Sequence, residues 1–290
     1  MLKFAFSTVA CPTWTLERVA NFARETGFAG VELRTLGYGS RSLACDPALS
    51  AGDKVEAMFR DAGVAIAGVG TSARFDAPVT PPVVGFLRDN EQEVREAERH
   101  LDVARSIGAS YTRVFAFEPA TGERTDRALK RIVARIRLAA DHARWGSGML
   151  ALENGGGFPR AADVLEIVDR ARHPLVGACY NVAVGARAGD DADAARELLA
   201  GDLLVVRVKD VNEHGKPCLP GDGVAHCEAL VRNLASASYA GWVVFEWDRA
   251  WLPDLASLEE SAPEALERMQ RWATSAQSAR LDKPTAAASR

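Results

Sequence analysis

Met149-Leu150-Ala151-Leu152-Glu153 leads, through a glycine-rich turn and Pro159, into Ala161-Ala162-Asp163-Val164-Leu165-Glu166-Ile167-Val168-Asp169-Arg170-Ala171, and then into Val176-Gly177-Ala178-Cys179-Tyr180. The outer pieces are short, nearly continuous apolar runs, as expected of strands buried on both faces of a parallel sheet. The middle piece repeats its apolar residues at helical spacing. Strand, helix and strand within about thirty residues make one βαβ unit.

The same alternation runs outward in both directions. Further strand-like runs are Lys3–Ser7, Val31–Arg34, Val64–Gly70, Thr112–Phe117, Leu203–Lys209 and Trp242–Trp247. Between them lie helical patterns, among them Leu16, Val19, Ala20 and Ala23 at i, i+3, i+4, i+7, with Gly27 placed to close that helix. Others are Gly52–Ala62, Glu91–Ile107, Asp126–Ala143, Ala192–Leu199, Cys227–Ala235 and Glu259–Trp272. Strand ends recur about every 34 residues, the length of one βα unit. Eight such repeats predict an α/β chain folded as a single (β/α)8 barrel. Neither G-x-G-x-x-G nor a Walker sequence follows the first strand, against an open nucleotide-binding sheet. The predicted barrel takes residues 1–276, and the Ala/Ser-rich 277–290 reads as a flexible tail. Thr71–Asn90, with three prolines, is the longest irregular stretch and is expected to be a loop on the catalytic face.

Composition narrows the function classes. Thirty-five basic and 39 acidic residues leave a net charge of −4, which gives no basic surface for nucleic acid or anionic membranes. No apolar run approaches the roughly 20 residues of a membrane span, and the first dozen residues do not read as a signal peptide. Five cysteines without paired spacing suit reduced thiols, so a cytoplasmic protein is expected. Oligomeric state has no signature in the sequence.

In a (β/α)8 barrel the functional side chains stand at the C-terminal strand ends. Those ends carry Glu32, Arg34, Arg74, Arg113, Glu118, Glu153, Asn154, Asn181, Arg207, Lys209, Asp210, Glu246 and Asp248. Glu153 and Glu246 each close an apolar run, so both are expected to project from the rim into one pocket. Two carboxylates on opposite sides of one carbon suit proton removal and return beside a carbonyl. Such chemistry also needs a positive charge at the developing enolate oxygen. Lys209 and Asp210 either hold substrate hydroxyls or phosphate, or pair internally to fix their loop. Arg34, Arg74 and Arg113 either clamp an anionic substrate or form a rim salt-bridge network. Trp247 and Trp251 either wall the pocket or pack. Cys179, inside a strand, reads as a small buried apolar residue rather than a nucleophile.

Several local motifs, in order, resemble the xylose-isomerase-like sugar isomerases and epimerases. They are Gly30-Val31-Glu32-Leu33-Arg34, Gly70-Thr71-Ser72, Arg113-Val114-Phe115, Leu152-Glu153-Asn154, Val208-Lys209-Asp210, Leu219-Pro220-Gly221-Asp222-Gly223 and Tyr239-Ala240-Gly241-Trp242 leading to Phe245-Glu246-Trp247. The resemblance spans roughly residues 3–275. It implies a metal-assisted isomerase or epimerase of a small carbohydrate, with one divalent cation held by Glu, Asp, His and Glu on strands five to eight. Glu153 and Glu246 match the two glutamates. Asn181 stands at the aspartate and Arg207 at the histidine, and none of the five histidines falls at a ligand position. Asn brings no charge and Arg cannot ligate a metal. The expectation is therefore a site without the cation or any other cofactor. Glu153 and Glu246 would act as acid and base, with Asn181, Arg207, Lys209, Arg34 and Arg74 on substrate. The competing reading is an inactive barrel that binds a sugar or a partner protein. Endonuclease-IV-like repair fits poorly, since it needs several zinc ions and many His or carboxylate ligands.

Overall fold

The computed structural model describes residues 1–35, 52–78, 92–146 and 148–281. Eight strands close into one all-parallel barrel: β1 (Lys3–Ser7), β2 (Gly30–Arg34), β3 (Ala65–Arg74), β4 (Tyr111–Phe115), β5 (Met149–Glu153), β6 (Val176–Asn181), β7 (Leu203–Val208) and, after a small hairpin, β10 (Trp242–Phe245). The hairpin, β8 (Asp210–Val211) and β9 (Pro217–Cys218), follows β7 directly. Neighbours around the barrel run β1-β10-β7-β6-β5-β4-β3-β2. The predicted (β/α)8 barrel is the observed fold.

Helices α1 (Leu16–Thr26), α2 (Gly52–Asp61), α3 (Gln92–Ser106), α4 (Thr125–Ala143), α5 (Ala161–Ala171), α6 (Val182–Arg187), α7 (Ala192–Leu198), α8 (Cys227–Ser236) and α9 (Leu258–Leu281) fall between or after the strands. Their apolar stripes face the barrel. In α1 the buried residues are Leu16, Val19, Ala20 and Ala23, and the Thr15 side chain caps the first turn by accepting from the Arg18 amide at 3.2 Å. The acidic run before α7 starts that helix, with Asp191 accepting from the Ala194 amide at 2.9 Å. None of the described helices is long and apolar enough to cross a membrane.

Some boundaries differ from expectation. β3 runs on to Arg74, so Thr71–Arg74 are strand and not loop; residues 79–91 lie outside the description. Thr71 holds this extension by donating its hydroxyl to the Arg113 carbonyl at 2.7 Å. α9 continues to Leu281, five residues past the expected end of the barrel, and residues 282–290 lie outside the description.

The barrel interior explains how a charged site fits at its top. A lumen of this size is usually filled by branched aliphatic side chains. Here the lower layer holds Trp242 and Tyr111 among small residues, Ala5, Ala67, Ala151 and Cys179, with Val205 and Val244. Space is made on β3 as well: a Cβ at Gly68 would overlap the Tyr111 ring, and one at Gly70 would lie 2.7 Å from a Glu32 carboxylate oxygen. The volume that alanines and glycines leave is taken by long polar side chains.

Candidate active site

Arg207 stands at the centre. It is the largest fully buried side chain among the described residues, and it points inward from β7 toward three carboxylates. Nη1 donates to both oxygens of Glu32, at 2.8 and 2.6 Å. Nη2 contacts Glu246, and Nε lies 3.6 Å from Glu153. Complete burial works against the Arg207 charge, but Glu32 and Glu153 outweigh it and hold the guanidinium protonated well above the ordinary arginine range.

Glu32 forms the floor. It is fully enclosed and also accepts from Ser7 Oγ at 3.0 Å and from the Tyr111 hydroxyl at 2.9 Å. Burial pushes its carboxyl up, yet Arg207 and Arg113 together bring it down to about 2. The sequence placed Glu32 in the rim set without giving it a role. The available signal was the pair Glu32 and Arg34 at i, i+2 in an otherwise apolar strand, which sends both to one face. That the partner would come from β7 could not be read locally.

Glu153 and Glu246 sit above, at the ends of β5 and β10, so the shared location expected from the sequence is observed. Glu153 Oε1 accepts from Asn181 Nδ2 at 2.9 Å, and its Oε2 lies 3.1 Å from Arg113 Nε. That second oxygen accepts no aligned hydrogen bond. Glu246 touches Arg207 and lies 3.6 Å from Lys209 Nζ.

Lys209 and Asp210 do not pair. Lys209 turns inward to Asp248, at 2.5 Å. Asp210 accepts four backbone N–H groups from the following loop, Val211 (2.9 Å), Gly221 (2.8 Å), Gly223 (3.2 Å) and Ala225 (3.0 Å). Lys209 lies between β7 and β8 and Asp210 opens β8, so the two adjacent residues serve different parts of the structure. Asn154 likewise serves the backbone, donating to the carbonyls of Pro159 and Asn181 and accepting from the Asn181 amide.

The arginines divide. Arg34 is buried and donates to the carbonyls of Thr35 (2.5 Å) and Gly70 (2.9 Å) and to Ser72 Oγ (2.8 Å). Arg74 is half exposed, pairs with Asp76 at 3.3 Å and lies over the Phe117 ring, away from the carboxylates. Arg113 lies against the Phe115 ring and Glu153. Glu118 is exposed. Trp247 packs, with its indole N–H on the Ala256 carbonyl, whereas Trp251 is exposed and faces Arg34. Burial, and then Glu153, push the Cys179 thiol well up, so it stays protonated as its apolar reading required. His214 and His226 are both exposed.

The model for xylose isomerase-like TIM barrels matches residues 20–272. The chain belongs to that family. No curated protein sequence matches the chain. Solved structures of the same fold include an L-ribulose 3-epimerase, 16% identical with a TM-score of 0.80, covering 99% of this chain and 100% of that one. A 3-keto-D-glucoside 4-epimerase from E. coli is 16% identical with a TM-score of 0.73, covering 93% and 100%. A probable 3-DHS dehydratase from Bacillus anthracis, involved in petrobactin synthesis, is 13% identical with a TM-score of 0.74, covering 93% and 99%. At these identities the likeness establishes the fold, and a fold of this kind hosts more than one reaction.

Proposed function

We propose that this xylose isomerase-like barrel moves a proton beside the carbonyl of a small polyhydroxylated molecule, with Arg207 holding together the carboxylates that the resemblance assigns to a divalent cation. The observation that carries this reading is the contact of one buried guanidinium with Glu32, Glu153 and Glu246. The residues present do not fit a divalent cation at that position. Two carboxylates and the neutral Asn181 amide remain as donors, and a fixed positive charge already lies against both carboxylates. A metal there would be repelled by Arg207 and would have to displace it.

The roles follow from placement. Glu153 stands at the end of β5, and Arg113 and Arg207 steady the charge of its buried Oε2. It is the base that takes the proton from carbon, and Asn181 fixes its orientation through the other oxygen. Glu246, on the facing side of the barrel mouth, returns a proton to the opposite face of the enediolate. Arg207 is fully enclosed, so it positions the two glutamates and does not touch substrate. Lys209, partly exposed and held by Asp248, is the cation that reaches the substrate oxygen. Positioned acid–base groups of this kind contribute about 10²–10⁴-fold each.

The test is solvent exchange. Ketoses, inososes and keto-acid sugars are incubated with the protein in D₂O and followed by proton NMR. Exchange at the carbon beside the carbonyl is expected, and it is lost in Glu153→Gln and Glu246→Gln variants that still fold. Absence of exchange across the panel with folded wild-type protein overturns the reading. Stoichiometric manganese, magnesium, zinc or cobalt bound through Glu153 and Glu246 overturns the part assigned to Arg207.

A further inference from the structure

Four residues other than glycine have a left-handed backbone among the described residues: Phe117, Arg172, His226 and Ser238. Arg172 and His226 are caps of α5 and α8, and Ser238 stands just past the end of α8. Phe117, with φ 68°, is the one of these that follows a barrel strand, two residues beyond β4 at the end that carries the carboxylates. A bulky side chain keeps that conformation only where its surroundings hold it, and such positions gather at functional sites. Here the glycine-rich turn after β5 holds it. The Phe117 carbonyl accepts from the Gly157 amide at 2.9 Å, and a Cβ on Gly156 would lie 2.8 Å from that carbonyl oxygen. Arg74 covers the ring, its guanidinium carbon 5.1 Å from the centroid.

This conformation sets the Phe117 ring edge to face against Phe115, at 6.2 Å. Phe115 pairs in register with Glu153, so the two side chains leave neighbouring strands on the same face, about 5 Å apart. The Arg113 guanidinium lies against the Phe115 ring at 4.6 Å, yet the residue stays partly exposed. There is room next to it. Gly155, two residues past Glu153, is also partly exposed, and among the described residues a Cβ placed on it would meet only the Phe115 ring edge, at an ordinary 3.6 Å. The opposite wall is polar. β4 lies four strands from β10 in either direction around the barrel, so the pair of Asp248 and Lys209, just past β10 and β7, stands across the mouth from Phe115.

Resting on the reading of Glu153 as the base, we infer that Phe115 is a substrate-contacting residue, on whose ring the C–H face of a neutral sugar lies, and that Phe117 is a positioning residue that fixes this ring. A sugar is amphipathic: its C–H bonds gather on one face while its hydroxyls point elsewhere. An aromatic wall takes the first out of water, and the Lys209–Asp248 pair receives the second. Because Phe115 and Glu153 are register neighbours, a sugar seated on the ring brings a C–H bond beside the carboxylate. The site thereby selects sugars with adjacent C–H bonds on the face to be deprotonated.

The experiment is calorimetric titration with neutral ketohexoses and inososes, paired with deuterium exchange on the tightest binder. Phe115→Ala is expected to weaken binding at least about tenfold and to raise KM while exchange at saturating sugar is kept; Phe115→Tyr restores most of the affinity. Phe117→Gly accepts the left-handed backbone but loses the ring, so it folds as the wild type and weakens the sugar by a smaller factor, whereas Phe117→Tyr binds normally. Gly155→Val, whose Cβ has only an ordinary contact, is expected to fold and to block the sugar. Unchanged affinity in folded Phe115→Ala or Gly155→Val, or no binding by any probe to the wild type, overturns the inference; unchanged affinity in Phe117→Gly overturns the role given to Phe117. Binding that depends on Phe115 without deuterium exchange overturns the proton-transfer proposal and leaves this one standing. Exchange on a sugar whose KM is unmoved by Phe115→Ala does the reverse.

Discussion

Replacing Arg207 by methionine tests the centre of the site most directly. Among the described residues the guanidinium is the only cation in hydrogen-bond contact with Glu32, at 2.6 and 2.8 Å, and Glu32 has no exposure to water. Removing it leaves a buried carboxylate with only the Ser7 and Tyr111 hydroxyls as donors. Breaking a buried pair on one side costs about 3–5 kcal/mol. The pH dependence gives the sharper signature. In the wild type the Glu32 carboxyl is held at about 2 against an ordinary 4.5, a difference of about 3 kcal/mol. Its folded-state pKa is depressed, so this stability is complete above about pH 4.5 and is lost as pH falls toward 2. Without Arg207, burial dominates and lifts the carboxyl above its ordinary value. The variant then keeps its stability near pH 4.5 and loses it as pH rises toward neutrality, the opposite slope. Urea unfolding between pH 4.5 and 8, followed by tryptophan fluorescence and far-ultraviolet circular dichroism, reads both effects. Glu32→Gln added to Arg207→Met is expected to recover about 2 kcal/mol, since a buried amide carries no charge. A loss below about 1 kcal/mol, an unchanged pH slope, or strict additivity of the two substitutions would refute the argument that Arg207 and Glu32 are one electrostatic unit.

Asp210→Ala strips four backbone N–H groups of their acceptor; about 2–4 kcal/mol of destabilisation is expected, with amide exchange at Gly221, Gly223 and Ala225 accelerated well before global unfolding. Gly68→Ala drives a methyl group into the Tyr111 ring, and a lowered melting temperature worth about 1–3 kcal/mol is the expected result; an unchanged melting temperature would show that the lumen yields at that level. Lys209→Met is expected to leave the fold intact, since the chain is partly exposed, while slowing deuterium exchange at saturating substrate. A rise in KM at unchanged kcat would instead make Lys209 a residue of uniform binding.

Much of this molecule was legible locally. Strand runs such as Met149–Glu153, helix stripes such as that of α1 and the recurring strand spacing follow from side-chain periodicity, which is a property of neighbouring residues. Periodicity also marked Glu153 and Glu246 as rim carboxylates, because each ends an apolar run. It did less well at element ends. The extension of β3 to Arg74 depends on a hydroxyl from Thr71 reaching the Arg113 carbonyl on another strand, and α9 continues past Ala276 with no stop residue to mark it.

The division of labour among the charged residues was not a local matter. Lys209 and Asp210 are adjacent in sequence, yet one turns to Asp248 inside the mouth and the other ties down a loop. Arg34, Arg74 and Arg113 read alike in sequence and end in three different environments: carbonyls, a largely buried aspartate and a buried glutamate. Glu32 and Arg207 lie 175 positions apart and meet only because barrel closure and the missing side chains on β3 leave one space for both. The sequence by itself determined the barrel, since hydrophobic periodicity is a short-range code. Which charge faces which was decided by the tertiary structure, because electrostatic partners in a closed sheet are chosen by register and by the room that small residues leave.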